Sequence, residues 1–419
     1  MKVKLNKLFY WSILIQILAT QGVLTFLVFD YLGNWEIKKF FHPFSFLTII
    51  ILFLIKASKR IKITLLDILF FGYFSLLFFT LLFNVRNIES LYIVFREIYI
   101  LFIMIFIFSQ LEISEKKWSN ILNLLFYLLI LNSIFIILTF ILGPEKYMKM
   151  ITGRYVWGID PEYKFKISNF YNFWRSPALV GNAGSVGYFS VLSYLLMDQY
   201  SKFKKKKYIA LFPLIFSFVR SAYLILIVYE FFKFFSKKKN LRKLILILKV
   251  AVPIVIFLTV YLAKYDVFST ASLFKRFYLW ENQISVNYNI FYGGEIGNVG
   301  GGARGSGFVE TLDSYWLLMI ISSGLIGVII SILYIYEKSK KNNRFLFILT
   351  AFFLSGFLVN LTQSIVFLVL YLIARYAKPK WLVKKVNNKT KINWGIFVVI
   401  WLSFSLMGIL LYHTVTRVK

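Results

Sequence analysis

The chain has 419 residues, of which 59% are hydrophobic and 20% are aromatic, and its formal net charge at pH 7 is +31. This composition is far from that of a water-soluble protein and predicts an integral membrane protein. The absence of cysteine excludes disulfides, thiolate metal sites and a cysteine nucleophile. The two histidines, His42 and His413, are too few to favour a histidine metal site or a Ser/His/Asp triad.

Apolar runs of membrane-spanning character recur along the chain. The first run, residues 8–29, is long enough to cross a bilayer and is not followed by a small-residue cleavage pattern. We therefore expect a retained helix in a mature chain that starts at Met1. Further single spans are predicted at residues 40–55, 63–83, 91–108, 120–142, 179–197, 244–263, 314–336 and 394–412.

Two other apolar stretches have basic residues at both ends and an interruption in the middle. Residues 208–235 contain Pro213 and Arg220 between two lysine clusters, and residues 345–374 contain a polar break at residues 360–363. Because the two ends of each stretch carry the same basic flanks, we interpret each one as a short hairpin whose ends lie on the same side of the membrane.

The predicted fold class is therefore all-α, a polytopic transmembrane helical protein with about eleven to thirteen spans including the two short hairpins. It forms a single integral membrane domain, residues 1–419, with a cytoplasmic N-terminus. Two long external loops are expected, a first one at residues 143–178 and a large glycine-rich one at residues 264–313. Lys and Arg concentrate in the segments that this topology places in the cytoplasm, so sidedness explains the net charge and no nucleic-acid partner is expected.

The large external loop is the most unusual part of the chain. Its second half reads GGEIGNVGGGARGSGFVETLDS and holds eight of the 22 glycines. A nucleotide phosphate loop is excluded, because no Lys followed by Ser or Thr comes after a glycine and the run does not follow a strand. A flexible linker and a functional loop both remain, since loops of this length are uncommon in compact proteins and are usually functional or disordered.

Arginines from separate stretches are brought to the outer side of the membrane. Arg175 and Arg220 lie at or near the outer ends of spans, while Arg276 and Arg304 lie in the large loop. A guanidinium group suits diphosphate, because its planar fork makes paired hydrogen bonds to phosphate oxygens and stays charged when partly desolvated. The alternatives are a structural ion pair for Arg220, a solvated or lipid head-group contact for Arg175 and Arg276, and simple exposure for Arg304.

The order of these parts resembles the O-antigen polymerase and O-antigen ligase superfamily of the bacterial envelope. The shared order is an arginine at the start of a mid-chain span, an arginine hairpin, a large external loop, and a polar pair that opens the next span. The resemblance covers roughly residues 175–330. The residues that carry it are Arg175, Pro177, Gly181, Val219, Arg220, Ser221, Arg276, Trp280, Gly293, Gly294, Gly297, Asp313, Ser314, Gly324, Leu325, Ile326 and Gly327.

The resemblance implies a polysaccharide polymerase that joins oligosaccharide repeat units carried on a polyprenyl diphosphate such as undecaprenyl diphosphate. Its product would be a surface polysaccharide, the O antigen of lipopolysaccharide or a capsule. The implied protein is a glycosyltransferase, a multi-pass protein of the bacterial inner (plasma) membrane whose active face is periplasmic or extracellular. Because the outer carboxylates do not cluster at ligand spacing, we expect it to be metal-independent, and no cofactor is expected. Its expected partners are the lipid-linked glycan donor and acceptor and membrane lipid, and a chain-length regulator is left open.

The same resemblance implies roles for individual residues. Arg175, Arg220 and Arg276, with Arg304 and Trp280 as further substrate-binding residues, would hold the diphosphate and the glycan. Asp313 is the first candidate for the general base and Glu310 the second, although Asp313 also fits an N-terminal cap of the next span, and outer-loop aromatics also fit an interfacial belt. Ligases of the family carry a histidine near the end of this loop, and its absence here favours a polymerase.

Two other functions remain in competition with polymerisation. An O-antigen ligase would differ only in the acceptor. A lipid-linked oligosaccharide flippase or another secondary transporter would be expected to show repeat symmetry and a site near the bilayer midplane. A scaffolding membrane protein without chemistry would leave the arginines unexplained.

Overall fold

The structure, a computed structural model, describes residues 2–24, 64–84, 91, 94–109, 112–152, 168–170, 173–235, 280, 289–294, 296, 314–339, 356 and 378–379. Most of these residues are helical, which confirms the predicted helical class, whereas the number of spans and the two external loops stay predictions. The predicted spans at residues 40–55, 244–263 and 394–412 lie outside the described residues. So does the predicted hairpin at residues 345–374, apart from Gly356.

The described α-helices are α1 (Lys2–Ala19), α2 (Leu65–Asn84), α3 (Leu101–Ser109), α4 (Glu115–Leu142), α5 (Pro144–Thr152), α6 (Ala183–Asp198), α7 (Leu211–Ser217), α8 (Arg220–Phe235) and α9 (Tyr315–Ser339). A π-helical stretch, Phe95–Ile100, leads directly into α3. Two 3₁₀ stretches, Ser201–Phe203 and Lys206–Ala210, connect α6 to α7. In the part of the chain that the structure describes, α4 and α9 are long and apolar enough to cross a membrane.

Four short strands accompany the helices among the residues that the structure describes. Strand β1 (Glu112–Ile113) pairs in parallel with β4 (Lys378–Pro379), and β2 (Ser168–Phe170) pairs with β3 (Phe173–Arg175) in an antiparallel hairpin. The all-α expectation did not include them, because runs of two or three residues are too short to show the alternating pattern that identifies a strand. Arg175 is the last residue of β3 and pairs with Ser168 of β2.

Helices α2 and α9 pack against each other through aromatic side chains. Phe70 of α2 stacks on Phe74 and on Tyr334 of α9, with ring centroids 4.3 and 4.6 Å apart, and Phe102 of α3 lies 4.5 Å from Phe70. Such pairs add roughly 0.5–1.5 kcal/mol each beyond the burial of their area. At one end of this interface, Asp67 and Lys338 form a buried salt bridge that joins the start of α2 to the end of α9.

Helices α6, α7 and α8 form a second packed unit, in which the chain reverses direction. The 3₁₀ stretch before α7 carries Lys207, and α8 carries Glu230 and Lys233 near its end. Asp198, the last residue of α6, connects them, because it forms salt bridges with Lys207 at 2.8 Å and with Lys233 at 2.7 Å. Lys207 also contacts Glu230 at 3.5 Å. The two ends of residues 207–233 therefore lie together, which agrees with the hairpin geometry expected from the flanking lysines.

In the described part of the chain, two predicted spans are interrupted and a third becomes helical later than expected. The first one breaks after α1, where Thr20 and Gln21 are not helical and a new helical turn begins at Gly22. The span expected from residue 179 becomes helical only at Ala183. Helix α9 is broken at Gly324, whose φ of 64° and ψ of −177° are not helical. Hydropathy hides these breaks, because one to four non-helical residues barely change the mean of a window that is 18 or more residues long.

Candidate functional site

A buried segment without regular structure, residues 176–181, connects β3 to Asn182, the cap of α6, and is held by side chains of α4 and α5. Asn132 of α4 accepts a hydrogen bond from the amide of Leu179 at 3.0 Å, and the hydroxyl groups of Thr139 and Ser176 are 2.8 Å apart. Tyr147 of α5 donates from its hydroxyl to the carbonyl of Ala178 at 2.8 Å. Because a buried backbone group without a partner is costly, these side chains allow the irregular segment to exist inside the protein.

The break after α1 pairs with the same segment. The amides of Gly22 and Val23 donate to the carbonyls of Val180 and Leu179, at 3.1 and 2.8 Å. Next to them, Asn132 donates from its side-chain amide to the side-chain carbonyl of Gln21 at 2.8 Å. Two interrupted stretches of the chain thus satisfy each other's backbone groups in a buried polar layer.

The conformation of the segment is strained at one residue and ends in a regular helix cap. Ala178 has a φ of 46°, which is unfavourable for a residue with a Cβ and costs on the order of 1–3 kcal/mol. The side chain of Asn182 accepts hydrogen bonds from the amides of Gly184 and Ser185, as an N-cap residue does, so α6 begins at a defined point. Strain of this kind persists only where the surrounding contacts determine the backbone, and it is common at functional sites.

The chain reversal between α7 and α8 lies against α6. Phe218 ends α7 in the left-handed conformation, with φ 51° and ψ 38°, and α8 starts at Arg220. Gly187 of α6 makes the close approach feasible, because a Cβ at this position would lie 2.8 Å from the Cβ of Val219 and 3.0 Å from the hydroxyl of Ser217. Tyr223 holds the reversal from the other side by donating to the carbonyl of Ile215 at 2.5 Å.

Arg175 contacts this reversal and lies close enough to Arg220 for their charges to interact. The Nε of Arg175 donates to the carbonyl of Ser217 at 3.2 Å, where the last turn of α7 leaves its carbonyls without helical partners. Burial lowers the pKa of the Arg175 guanidinium, and the positive charge of Arg220 lowers it further. Arg175 is half-buried and Arg220 is exposed, so one side of the pair opens to the surroundings of the protein.

Two like charges in one place repel each other, and an anion between them would remove the repulsion. An arginine pair of this kind presents several N–H donors in planar arrays, the arrangement that binds phosphate oxygens. The first residue of α8 is Arg220 itself, so the positive end of that helix dipole lies at the same position. The arrangement is therefore suited to an anion with several oxygens.

Two tyrosines near Arg175 were not predicted as site residues. Tyr223 and Tyr188 lie near enough to Arg175 to interact with it electrostatically, and both act to raise the pKa of its guanidinium. Tyr188 is bonded to Ser221 of α8, with 2.7 Å between the two hydroxyl oxygens. Tyr223 follows Arg220 by three residues and lies on the same helix face, a spacing visible in the sequence, whereas nothing in the sequence connects Tyr188 to Arg175.

The other predicted site residues are described only in part. Arg276, Arg304, Glu310 and Asp313 lie outside the described residues, so whether they approach Arg175 and Arg220 stays a prediction. Trp280 is described and is buried, with 9% of its surface exposed.

A capping contact at the start of α9 is made by Ser314, while the capping alternative for Asp313 lies outside the described residues. Ser314 precedes the first residue of α9 and accepts a hydrogen bond from the amide of Leu317 at 3.3 Å. Of the glycine run, Gly293 and Gly294 are described.

Among the described residues there is no group of three or more His, Asp or Glu side chains that could hold a metal ion. Comparison with family models, with characterised proteins and with solved structures finds no match to this chain.

Proposed function

We propose that this chain is a multi-pass membrane glycosyltransferase that polymerises polyprenyl-diphosphate-linked oligosaccharide repeat units at the outer face of the bacterial inner membrane. The observation that supports it best is the proximity of Arg175 and Arg220 at the reversal between α7 and α8. A diphosphate leaving group carries the charge and the oxygens that two adjacent guanidinium groups bind best. The resemblance to the O-antigen polymerase and ligase superfamily supplies the reaction.

In the proposed reaction a hydroxyl oxygen of one lipid-linked unit attacks the anomeric carbon of the growing chain. A new glycosidic C–O bond forms, and the C–O bond between the sugar and the diphosphate breaks. The electron pair of that bond leaves with the diphosphate, where Arg175 and Arg220 stabilise the growing negative charge. The hydroxyl proton passes to a general base, for which Asp313 is the first candidate and Glu310 the second.

The first test removes each guanidinium separately. We expect Arg175→Ala and Arg220→Ala each to abolish long glycan when the purified protein is given lipid-linked repeat units in detergent, because each removes charge from the leaving-group site. The Lys variants at the same positions keep the charge but lose the planar fork, so they should retain partial activity. The measurement is the chain-length distribution of the glycan on a gel.

Lys202→Ala is the matched control, because Lys202 is an exposed cation near the Asp198 end of α6, far from the arginine pair. It should leave the glycan unchanged. Long chains made by the double variant Arg175→Ala/Arg220→Ala at normal protein levels would contradict the proposal. Transfer of single units or finished chains to a different lipid acceptor, without polymer, would identify a ligase instead.

A flippase or other secondary transporter is the second candidate, and one observation favours it. The breaks after α1 and at Gly324 of α9 interrupt helices in their middle, and substrate sites of transporters are often built from interrupted helices. A transporter would make no glycosidic bond in detergent under any condition. In cells, loss of a transporter would leave repeat units on the cytoplasmic leaflet, whereas loss of a polymerase would leave single units on the outer leaflet.

A further inference from the structure

A tight turn from the glycine-rich loop lies inside the break of α9. Residues 289–294 form this turn, which is closed by hydrogen bonds between the backbones of Asn289 and Gly293 at 3.0 and 2.7 Å. At its far end the amide of Gly294 donates to the carbonyl of Ser322 at 3.5 Å. The turn is thus attached to the residues that directly precede the break at Gly324.

The turn supplies the partners that the break removes. The amides of Leu325 and Ile326 are the first after Gly324, and they donate to the carbonyls of Ile290 and Phe291 at 2.9 and 3.0 Å. The first amides of any helix have no partner within the helix, so the turn caps the second half of α9. The break and the turn are therefore two parts of one structure, although they are far apart in the sequence.

Two glycines make the contact close. A Cβ on Gly293 would lie 2.6 Å from the backbone carbon of Ser322, and a Cβ on Gly324 would lie 2.2 Å from the carbonyl oxygen of Phe291. Both glycines also have positive φ, 75° and 64°. Any other residue at either position would need both a strained backbone and a displaced neighbour.

The contact lies near the middle of a candidate membrane span. Along α9, Gly324 is about 14 Å from Tyr315 and about 21 Å from Lys338 at the helical rise of about 1.5 Å per residue. The hydrocarbon layer of a bilayer is about 30 Å thick. A span that crosses this layer therefore places Gly324, and the turn that contacts it, well below the head groups.

The exposed side chains of the turn are apolar, as expected of residues within the hydrocarbon layer. Its three middle residues, Ile290, Phe291 and Tyr292, are large and apolar, and 51%, 61% and 58% of their surfaces are exposed. Their backbone groups are largely paired, because the side chain of Asn289 accepts from the amides of Phe291 and Tyr292 at 2.9 and 3.3 Å. Tyr73 of α2 lies within 3.4 Å of the carbonyl of Tyr292 and donates to the carbonyl of Ser323 at 2.6 Å.

We infer that residues 289–294 are a re-entrant turn immersed in the bilayer, and that Ile290, Phe291 and Tyr292 contact lipid hydrocarbon chains. Irregular backbone is tolerated in hydrocarbon only where its polar groups are satisfied by the protein, and this turn meets that condition. Ile326, whose amide donates to the turn, and Leu76, one helical turn after Tyr73 on α2, are also apolar and exposed. The inference does not depend on the proposed enzymatic activity.

Cysteine cross-linking tests the position of the turn, and the chain has no cysteine of its own. In the pair Phe291→Cys/Ile326→Cys, both side chains are exposed and the two backbones are joined by a hydrogen bond of 3.0 Å. Mild oxidation should therefore form a disulfide and protect both cysteines from a maleimide added after denaturation. The control pair Phe291→Cys/Leu333→Cys places the second cysteine about 10 Å further along α9, and it should stay reactive.

A nitroxide label at Tyr292→Cys tests the environment in liposomes, with Ile290→Cys as a second position should the first variant fold poorly. We expect the label to collide with molecular oxygen more often than with a water-soluble nickel chelate, as a label at Leu76→Cys should. A label at Lys146→Cys, on the exposed side of α5, should show the opposite preference. Access of the chelate to the turn would overturn the inference by placing it in water. Low access of both reagents would overturn it as well, by showing that protein covers the turn.

Discussion

Asp198 determines how the α6–α8 unit holds together at the end opposite the arginines. Burial alone would raise the pKa of this carboxyl, but hydrogen bonds from Lys207, Lys233 and Tyr229 outweigh it and lower the pKa to about 2. Asp198 is the last residue of α6 and lies just beyond the predicted span at residues 179–197. Its charge is therefore a stabilising feature that depends on pH.

The sign of that dependence follows from the direction of the shift. A carboxyl group whose pKa is lower in the folded state binds protons more readily when unfolded, so its stabilisation is complete above the ordinary value near 4 and is lost as the pH falls toward 2. Over that window the free energy of unfolding should fall by on the order of 2 kcal/mol. The measurement is the thermal unfolding midpoint of the detergent-purified protein at several pH values.

Asp198→Asn provides the comparison for this prediction. It leaves Lys207 buried without its nearest carboxylate, so the unfolding midpoint should already be lower at neutral pH and should change less between pH 4 and pH 2.5. Glu145→Gln on the exposed side of α5 should follow the pH dependence of the unchanged protein. An equally steep acid transition in Asp198→Asn would show that other groups cause it.

At the scale of the helices, the contact between α6 and the reversal at residues 217–219 sets where Arg220 lies. We expect Gly187→Ala to destabilise the protein by about 1–3 kcal/mol, because its new methyl group would overlap Val219 and force the reversal away from α6. The same displacement moves Arg220 relative to Arg175, so glycan synthesis should fall as well. Thermal unfolding and the detergent assay measure the two effects.

Gly72→Ala is the matched control in α2. Nothing lies within 4 Å of the position its Cβ would take, and alanine is the better helix former by roughly 0.5–1 kcal/mol. Its unfolding midpoint should stay the same or rise slightly. If Gly187→Ala behaved in the same way, α6 and the reversal would not be in close contact.

The sequence predicted helix positions better than helix continuity. The expected span at residues 63–83 corresponds closely to α2, Leu65–Asn84, because a long apolar run has one simple structure in a membrane. The breaks after α1 and at Gly324 were not predicted, since each depends on partners distant in sequence, residues 179–180 in one case and 290–291 in the other.

The candidate site was also predicted only in part from the sequence. The predicted topology placed Arg175 and Arg220 on the outer face. The lysines that flank residues 208–235 indicated that the chain reverses direction within that stretch. Tyr188 could not be assigned from its position in the sequence, because its place beside Ser221 depends on how α6 packs against α8. The close approach at Gly187 has the same origin, since a glycine in an apolar helix carries no mark of the element it will contact.

In the intact molecule, we expect the Asp198 end of the α6–α8 unit and the Lys338 end of α9 to face the cytoplasm together. Both ends carry lysines, and the positive-inside rule assigns basic clusters to the cytoplasmic side. In a chain without cysteine, single cysteines report this sidedness directly. Lys146→Cys on α5 should react with a membrane-impermeant maleimide on intact cells, and Lys202→Cys should react only after permeabilisation.

Both residues are exposed, so a lack of reaction cannot be attributed to burial. The reverse labelling pattern would invert the proposed orientation and move Arg175 and Arg220 to the cytoplasmic side. Reaction of both cysteines on intact cells would show that the α5 and α6–α7 connections share one face, which the predicted topology does not allow.

The pairing of Gly22 and Val23 with residues 179–180 also bears on how the protein is made. The first helix leaves the ribosome long before residues 179–180 have been translated. At about 5–20 residues per second, the interval is roughly eight to thirty seconds. During that time the amides after α1 have to remain in the insertion machinery or at the membrane surface, because the lipid interior offers them no acceptor. Biogenesis of the N-terminal region is therefore coupled to synthesis of the middle of the chain, and a truncation before residue 179 should leave the first helix poorly inserted.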